Sequence, residues 1–259
     1  PMLIQWPDRF YHTSEDTLDK VSPAMLAKVG IGTSAYAYFL AHAGAPQAQW
    51  LAQEMLTRYQ GVIARRVQDV ITAAMSAAQG EELAQSVAEL AKKAAYWADR
   101  EREALSTLRR LDPAADGWLG KAQTVAAQAL QAEVTRAEDA IAERARALGL
   151  DKLPAVPASP PDAWEEQAAR IVPTRKFPGP IPVAEYLHRL PFERREEIRA
   201  WQERHKVGRE MSLLALYWAD GKRNLLEIAH LVAMESGRRD TEFLVGYFRL
   251  LRELDLLSF

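Results

Sequence analysis

The chain has 259 residues, 48% of them apolar, and its 33 Lys and Arg against 35 Asp and Glu leave a formal net charge of −2. This is enough chain and enough apolar surface for one large or two modest domains, and the interspersed, balanced charge gives no global field to draw in nucleic acid or anionic lipid. The absence of cysteine excludes disulfides, thiol catalysis and Cys-based zinc sites, and no apolar run approaches the roughly 20 residues that cross a bilayer, so no membrane partner is expected.

Taken in order, Met2 to Gln5 is a short apolar run that makes a buried strand only if other strands exist to pair with it. Trp6 to Asp19 follows as a polar loop, with turn-forming Trp6-Pro7 and Pro7-Asp8, several carboxylates around His12, and hydroxyls at Thr13, Ser14 and Thr17. By itself this is either a surface turn whose histidine is satisfied by neighbours or a site. The N-terminus lacks the basic-then-apolar pattern of a signal peptide, and if Pro1 is an internal cut any export signal lies upstream of it.

Tyr11-His12-Thr13, Asp16-Thr17 and Asp19, preceded by Pro1 and the apolar Met2-Leu3-Ile4, resemble a motif of the di-zinc aminopeptidases, the family that includes glutamate carboxypeptidase II, the transferrin receptor ectodomain and glutaminyl cyclases. The resemblance covers roughly the first 43 residues. In that family the histidine of this motif is the last metal ligand in chain order. The earlier ligands (a His, a bridging Asp, a further carboxylate) and the Glu general base precede it.

The resemblance therefore implies that residues 1–45 are the C-terminal end of an α/β zinc-peptidase domain. His12 would be a metal ligand, with Asp16 and Tyr11 supporting it from outside the coordination sphere. Two zinc ions about 3.5–4 Å apart would activate a water for peptide-bond hydrolysis in the full-length protein. A catalytic zinc needs about three protein ligands, so no catalytic residue is assigned within this chain and tight zinc binding by it alone is not expected. A peptide is the implied substrate.

Ser22-Pro23 reads as a helix cap and first helical position, and Met25, Leu26, Val29, Tyr36, Ala37 and Leu40 keep a helical spacing until Gly44. Apolar residues run nearly all round this helix, which suits burial against a larger body. From Pro46 the pattern changes. Leu51, Met55, Tyr59, Val67, Ala74 and Ala78 mark a long amphipathic helix interrupted at Gly80. Leu83, Val87, Leu90, Trp97, Leu105 and Leu111 mark a second, and Asp112-Pro113 signals the start of a third, running from Leu119 to Gly149. Matched lengths of about 45–50 Å with short connections predict an up-down helical bundle over 46–149. Trp50, Trp97 and Trp118 are either core residues or face a partner. In the transferrin-receptor branch of the resembled family a helical domain carries the homodimer contact, and by that analogy a homodimer is expected here.

Nine of the fourteen prolines lie between Pro154 and Pro191, so 150–190 reads as a linker or strap, with a short helix over 162–171 and with Trp164, Ile171, Val172 and Phe177 too apolar to be fully solvated. Short helices return over 191–259: a charged one from Phe192, an apolar one from Met211, one capped by Asn224 and ended by Gly237, and one from Asp240 or Thr241 through Leu254, before a terminal strand. Helix, turn, helix and strand is the outline of a winged-helix-like module. Specific DNA binding is not expected of it, because from Glu185 onward 13 basic and 13 acidic residues balance and the candidate reading helix offers Glu242, Arg249, Arg252 and Glu253.

The chain thus reads as mainly α, and as the C-terminal part of a zinc aminopeptidase-like hydrolase. A non-enzymatic interaction or dimerisation adaptor is the rival reading, and a DNA-binding regulator a weaker one.

Overall fold

A computed structural model of the chain describes Leu3 and residues 6–157, 159–179, 181–205 and 209–259. In order the elements are α1 (Pro23–His42), α2 (Ala45–Met75), α3 (Gly80–Ser106), α4 (Asp116–Ala147), α5 (Ala163–Ala169), β1 (Thr174–Arg175), α6 (Phe192–His205), α7 (Arg209–Trp218), α8 (Leu225–Ser236), α9 (Thr241–Glu253) and β2 (Leu257–Ser258). The class is mainly helical. Of the apolar run Met2 to Gln5 only Leu3 lies within the described residues. Two compact units divide the chain inside α3: Pro1–Ala78 with Trp97–Asp151, and Gln79–Tyr96 with Lys152–Phe259.

In the first unit, α2 buries Ala48, Ala52, Leu56, Tyr59, Ile63, Val67, Ile71 and Ala74, and α4 buries Leu119, Ala122, Ala126, Leu130, Ala137, Ile141 and Ala145. These are single stripes at spacings of three and four, and their alanines let the two axes approach closely. Arg136 Nη1 donates to Gln68 Oε1 (3.0 Å) and Arg144 Nη2 to the Ala77 carbonyl (2.6 Å), at chain separations of 68 and 67 residues. A constant offset means that α2 and α4 run parallel, as the first and third helices of an up-down bundle must. The end of α3 lies against the start of α4, where Gln123 Nε2 donates to Ser106 Oγ (3.1 Å).

The third bundle helix begins later than Asp112-Pro113 suggests. The Asp112 carboxylate accepts from the Ala114 amide (3.1 Å) and from Trp118 Nε1 (3.0 Å), holding a turn ahead of Asp116. Gly149, in the left-handed region at φ 76°, ends α4. Trp97 is buried beneath the Arg66 guanidinium, while Trp50 is 55% exposed and meets Phe39 edge-on. Tyr59 Oη and one Glu101 oxygen are buried without a hydrogen-bond partner among the described residues. Burial, with the Glu101 charge adding and Arg66 opposing, pushes the Tyr59 hydroxyl up to about 12, and burial also pushes the Glu101 carboxyl up.

The second unit is built on α9, which buries Thr241, Phe243, Leu244, Val245, Tyr247, Phe248, Leu250 and Leu251. Asp240 caps its start, accepting from the Phe243 amide (2.7 Å). A reciprocal box caps α8: Asn224 Oδ1 accepts from the Glu227 amide (2.9 Å) and Glu227 Oε2 from the Asn224 amide (2.8 Å). Gly237, at φ 69°, closes α8.

The Pro-rich stretch contributes α5 and a hydrogen-bonded run past the start of α8 to the C-terminus. The Leu225 amide donates to the Ile171 carbonyl (2.8 Å), Gly221 to Pro173 (3.0 Å) and Lys176 to Leu256 (3.0 Å). β1 and β2 pair antiparallel with Thr174 opposite Ser258 and Arg175 opposite Leu257. Gly221 has φ +77°, and a Cβ there would stand 2.8 Å from Thr174 Oγ1, so conformation and space both demand glycine.

Candidate functional site

The Trp6 to Asp19 loop is a chain of local turns. Asp8 Oδ1 accepts from the Phe10 amide (2.9 Å) and the Tyr11 amide (3.1 Å), an Asx turn that follows from a short carboxylate beside a proline. Next, the Thr13 amide (3.0 Å) and Thr13 Oγ1 (2.7 Å) both donate to the Phe10 carbonyl, and the Asp16 amide donates to the Thr13 carbonyl (3.3 Å). Between these turns His12 sits at φ 60°, in the left-handed region that a non-glycine residue rarely takes.

The Tyr11 ring stands edge-on to the His12 imidazole, with centroids 4.0 Å apart, and Trp6 stands edge-on to Tyr11 at 6.4 Å. No hydrogen bond to the His12 ring is formed among the described residues. Asp16 lines a cavity of about 500 Å³ with Asp8, Phe10 and Lys20 of the loop and with Met25, Leu26 and Val29 of α1. His12 is not in that lining. Tyr11 is therefore brought onto His12, and Asp16 is not. Asp19 accepts from Lys20 Nζ and Thr17 Oγ1, and those two contacts hold its carboxyl below the usual carboxylate range. Asp8 thus organises the turn before His12, in keeping with the turn-forming Pro7-Asp8 pair.

Nothing in this loop completes a zinc site. Among the described residues no group of three or more His, Cys, Asp or Glu side chains could hold a metal ion. His12 offers one imidazole where a catalytic zinc needs about three protein ligands, so no chemical step through zinc is derived from these residues.

The helix that follows is as telling as the loop. Ser22 Oγ accepts from the Met25 amide (3.3 Å) and Pro23 opens α1, a well-formed helix of 20 residues, none of them buried. Leu26 is 62% exposed, Ile31 71% and Tyr38 66%, and the segment carries a single Lys and no carboxylate. Most of the apolar surface of α1 is therefore exposed to solvent in this chain. No helix among the described residues is long and apolar enough to cross a membrane. Compared with known proteins, the chain matches no family model, no curated protein and no solved structure.

Proposed function

We propose that residues 1–45 are the C-terminal end of an α/β zinc-peptidase catalytic domain, and that the whole protein is a zinc aminopeptidase-like hydrolase of peptides in which His12 supplies the last metal ligand. The observation that carries the reading is the combination, in one segment, of the His12 motif and a capped helix with no buried residue. The motif names the chemistry, and the bare apolar helix calls for a body to pack against. Two zinc ions would be completed by ligands from that body, and Tyr11, already against the imidazole, would fix its orientation. Asp16 would have to move onto His12 to support it directly.

The test is zinc content and aminopeptidase turnover of the protein carrying its complete catalytic domain, with and without His12→Ala. Zinc should be lost and turnover should fall by about a hundredfold or more, while the helical unfolding signal of the rest stays unchanged. Near-normal zinc and turnover would reject the ligand assignment. The present chain alone should bind zinc no better than a surface histidine does and should hydrolyse no aminoacyl substrate.

The rival reading, an interaction or dimerisation adaptor, is favoured by the same apolar α1 together with the exposed Trp50, which would meet a second copy or a partner. It gains if His12→Ala leaves activity intact. The winged-helix-like reading of 191–259 rests on the sequence α8, turn, α9, β2. A packing or protein-contact role suits it better than DNA reading. Most of α9 is core, and its four exposed charged positions are all engaged within the unit: Arg249 with Gln167 Oε1 (2.7 Å), Glu253 with Arg194 Nη2 (2.9 Å), Glu242 with His205 Nε2 (3.8 Å) and Arg252 over the Phe259 ring (4.3 Å to its centroid).

A further inference from the structure

A cavity of about 320 Å³ opens between α6 and α9, within the second unit. Its position follows from a missing side chain. Gly246 lies in the interior of α9, where glycine is costly, and a Cβ there would meet Trp201 Cζ2 at 2.7 Å. Without that Cβ the indole lies flat along α9, parallel to the Phe243 ring within 1° at a centroid distance of 4.9 Å. The indole is thus a fixed wall, and the buried Ile198 and Leu250 form an apolar floor.

The rim is basic. Arg194 is pinned at one end, donating to Glu253 Oε1 (3.0 Å) and to Glu197 Oε2 (2.8 Å), and these two carboxylates neutralise it. Arg204 and Arg249 line the same cavity. Arg249 spends one nitrogen on the neutral Gln167 (2.7 Å). Arg204 makes no ion pair or hydrogen bond among the described residues. Two arginines without an ion pair among the described residues, Arg204 and Arg249, therefore line a cavity whose one carboxylate, Glu197, already accepts from Arg194. Guanidinium groups pair bidentately with carboxylate and phosphate oxygens, and both guanidinium and indole favour the face of a flat ring.

We propose that this α6–α9 cavity binds a small aromatic anion, a planar ring carrying a phosphate or carboxylate, with the ring against Trp201 and the anionic group between Arg204 and Arg249. The volume suits one compact ligand rather than an extended acidic chain. The site is independent of the zinc-peptidase reading.

The experiment follows the Trp201 indole N–H resonance, assigned with Trp201→Phe, as the full chain is titrated with phenyl phosphate, benzoate, inorganic phosphate and benzyl alcohol. Phenyl phosphate or benzoate should shift it saturably, and whichever binds more tightly identifies the anionic group. Arg204→Gln with Arg249→Gln, both at exposed positions, should weaken that binding by about tenfold or more with an unchanged far-ultraviolet spectrum. No saturable shift by about 10 mM, or affinity unaltered in the double variant, would overturn the proposal. Inorganic phosphate or benzyl alcohol binding as tightly as the aryl anions would also overturn it, because ring and charge would then not act together.

Discussion

Gly246→Ala tests the central packing of the second unit. At an open helix-interior position this change stabilises by about 1 kcal/mol. Here the new methyl would stand 2.7 Å from Trp201 Cζ2, 3.0 Å from Cε2 and 3.2 Å from Nε1, when ordinary contact begins at 3.4 Å. The indole must therefore retreat by at least 0.7 Å at its nearest atom, the difference between 3.4 and 2.7 Å. Moving it loosens its stack on Phe243, worth about 0.5–1.5 kcal/mol, and overpacking of this kind costs about 1–3 kcal/mol. The net expectation is destabilisation by about 1–2 kcal/mol. With Trp201→Ala the obstacle is gone, and Gly246→Ala should revert to stabilising by about 1 kcal/mol, a coupling of about 2–3 kcal/mol. Because a two-unit chain need not unfold in one step, native-state hydrogen exchange of the α9 amides is the right assay. Equal stabilisation in both backgrounds would refute the reasoning.

Other perturbations probe other elements. Gly221→Ala should destabilise the second unit by about 1–3 kcal/mol through its positive φ and the Thr174 hydroxyl, read in the same exchange experiment; a neutral result would show that the strap yields. Glu101 binds its proton more tightly folded than unfolded, so its contribution is fully present below the unfolded pKa and is lost as pH rises through the raised folded value. Glu101→Gln should therefore stabilise the chain near neutral pH, by about 1 kcal/mol, and lose that advantage near pH 4, a difference that urea titrations at the two pH values would show or deny. Ile31→Lys should change the stability of this chain by less than about 0.5 kcal/mol, because the side chain is 71% exposed, yet should reduce self-association in sedimentation equilibrium if α1 is a contact surface. A chain that is monomeric at tens of micromolar before the substitution would remove the homodimer reading.

Elements whose ends are local chemistry were legible in the sequence. Asn224 and Glu227 satisfy each other's amides and Gly237 takes the left-handed exit, so α8 could be bounded without a partner in view. The period placed Tyr59, Val67 and Ala74 on the buried stripe of α2, but earlier in the helix it picked Leu51 and Met55 where Ala52 and Leu56 are buried, because hydrophobicity alone does not separate adjacent apolar positions. Asp112 misled because a carboxylate before proline can hold a turn as well as begin a helix, and which it does depends on Trp118, whose indole it accepts. The period of α9 correctly left Glu242, Arg249, Arg252 and Glu253 outside, but could not say what lies over that face. Gln167 and Arg194, which bind two of those residues, are far away in the chain. The same distance hid the approach of Trp201 to Gly246, and with it the cavity between α6 and α9.

At the candidate site the motif could be read but its environment could not. A left-handed, non-glycine His12 costs on the order of 1 kcal/mol, which the Asp8 and Thr13 turn bonds offset locally. An apolar α1 without a single buried residue is a second cost to the isolated chain, arising from hydration rather than backbone conformation. The two features have different physical origins and lie on adjacent segments. A body packed on α1 would remove the second, and if that body also brought metal ligands to His12 it would give the first a purpose. An adaptor that covers α1 with a partner explains the helix but leaves the histidine conformation without a function, so His12→Ala and Ile31→Lys together separate the two readings. Under the peptidase proposal both changes damage the complete catalytic domain, whereas under the adaptor reading only Ile31→Lys has an effect.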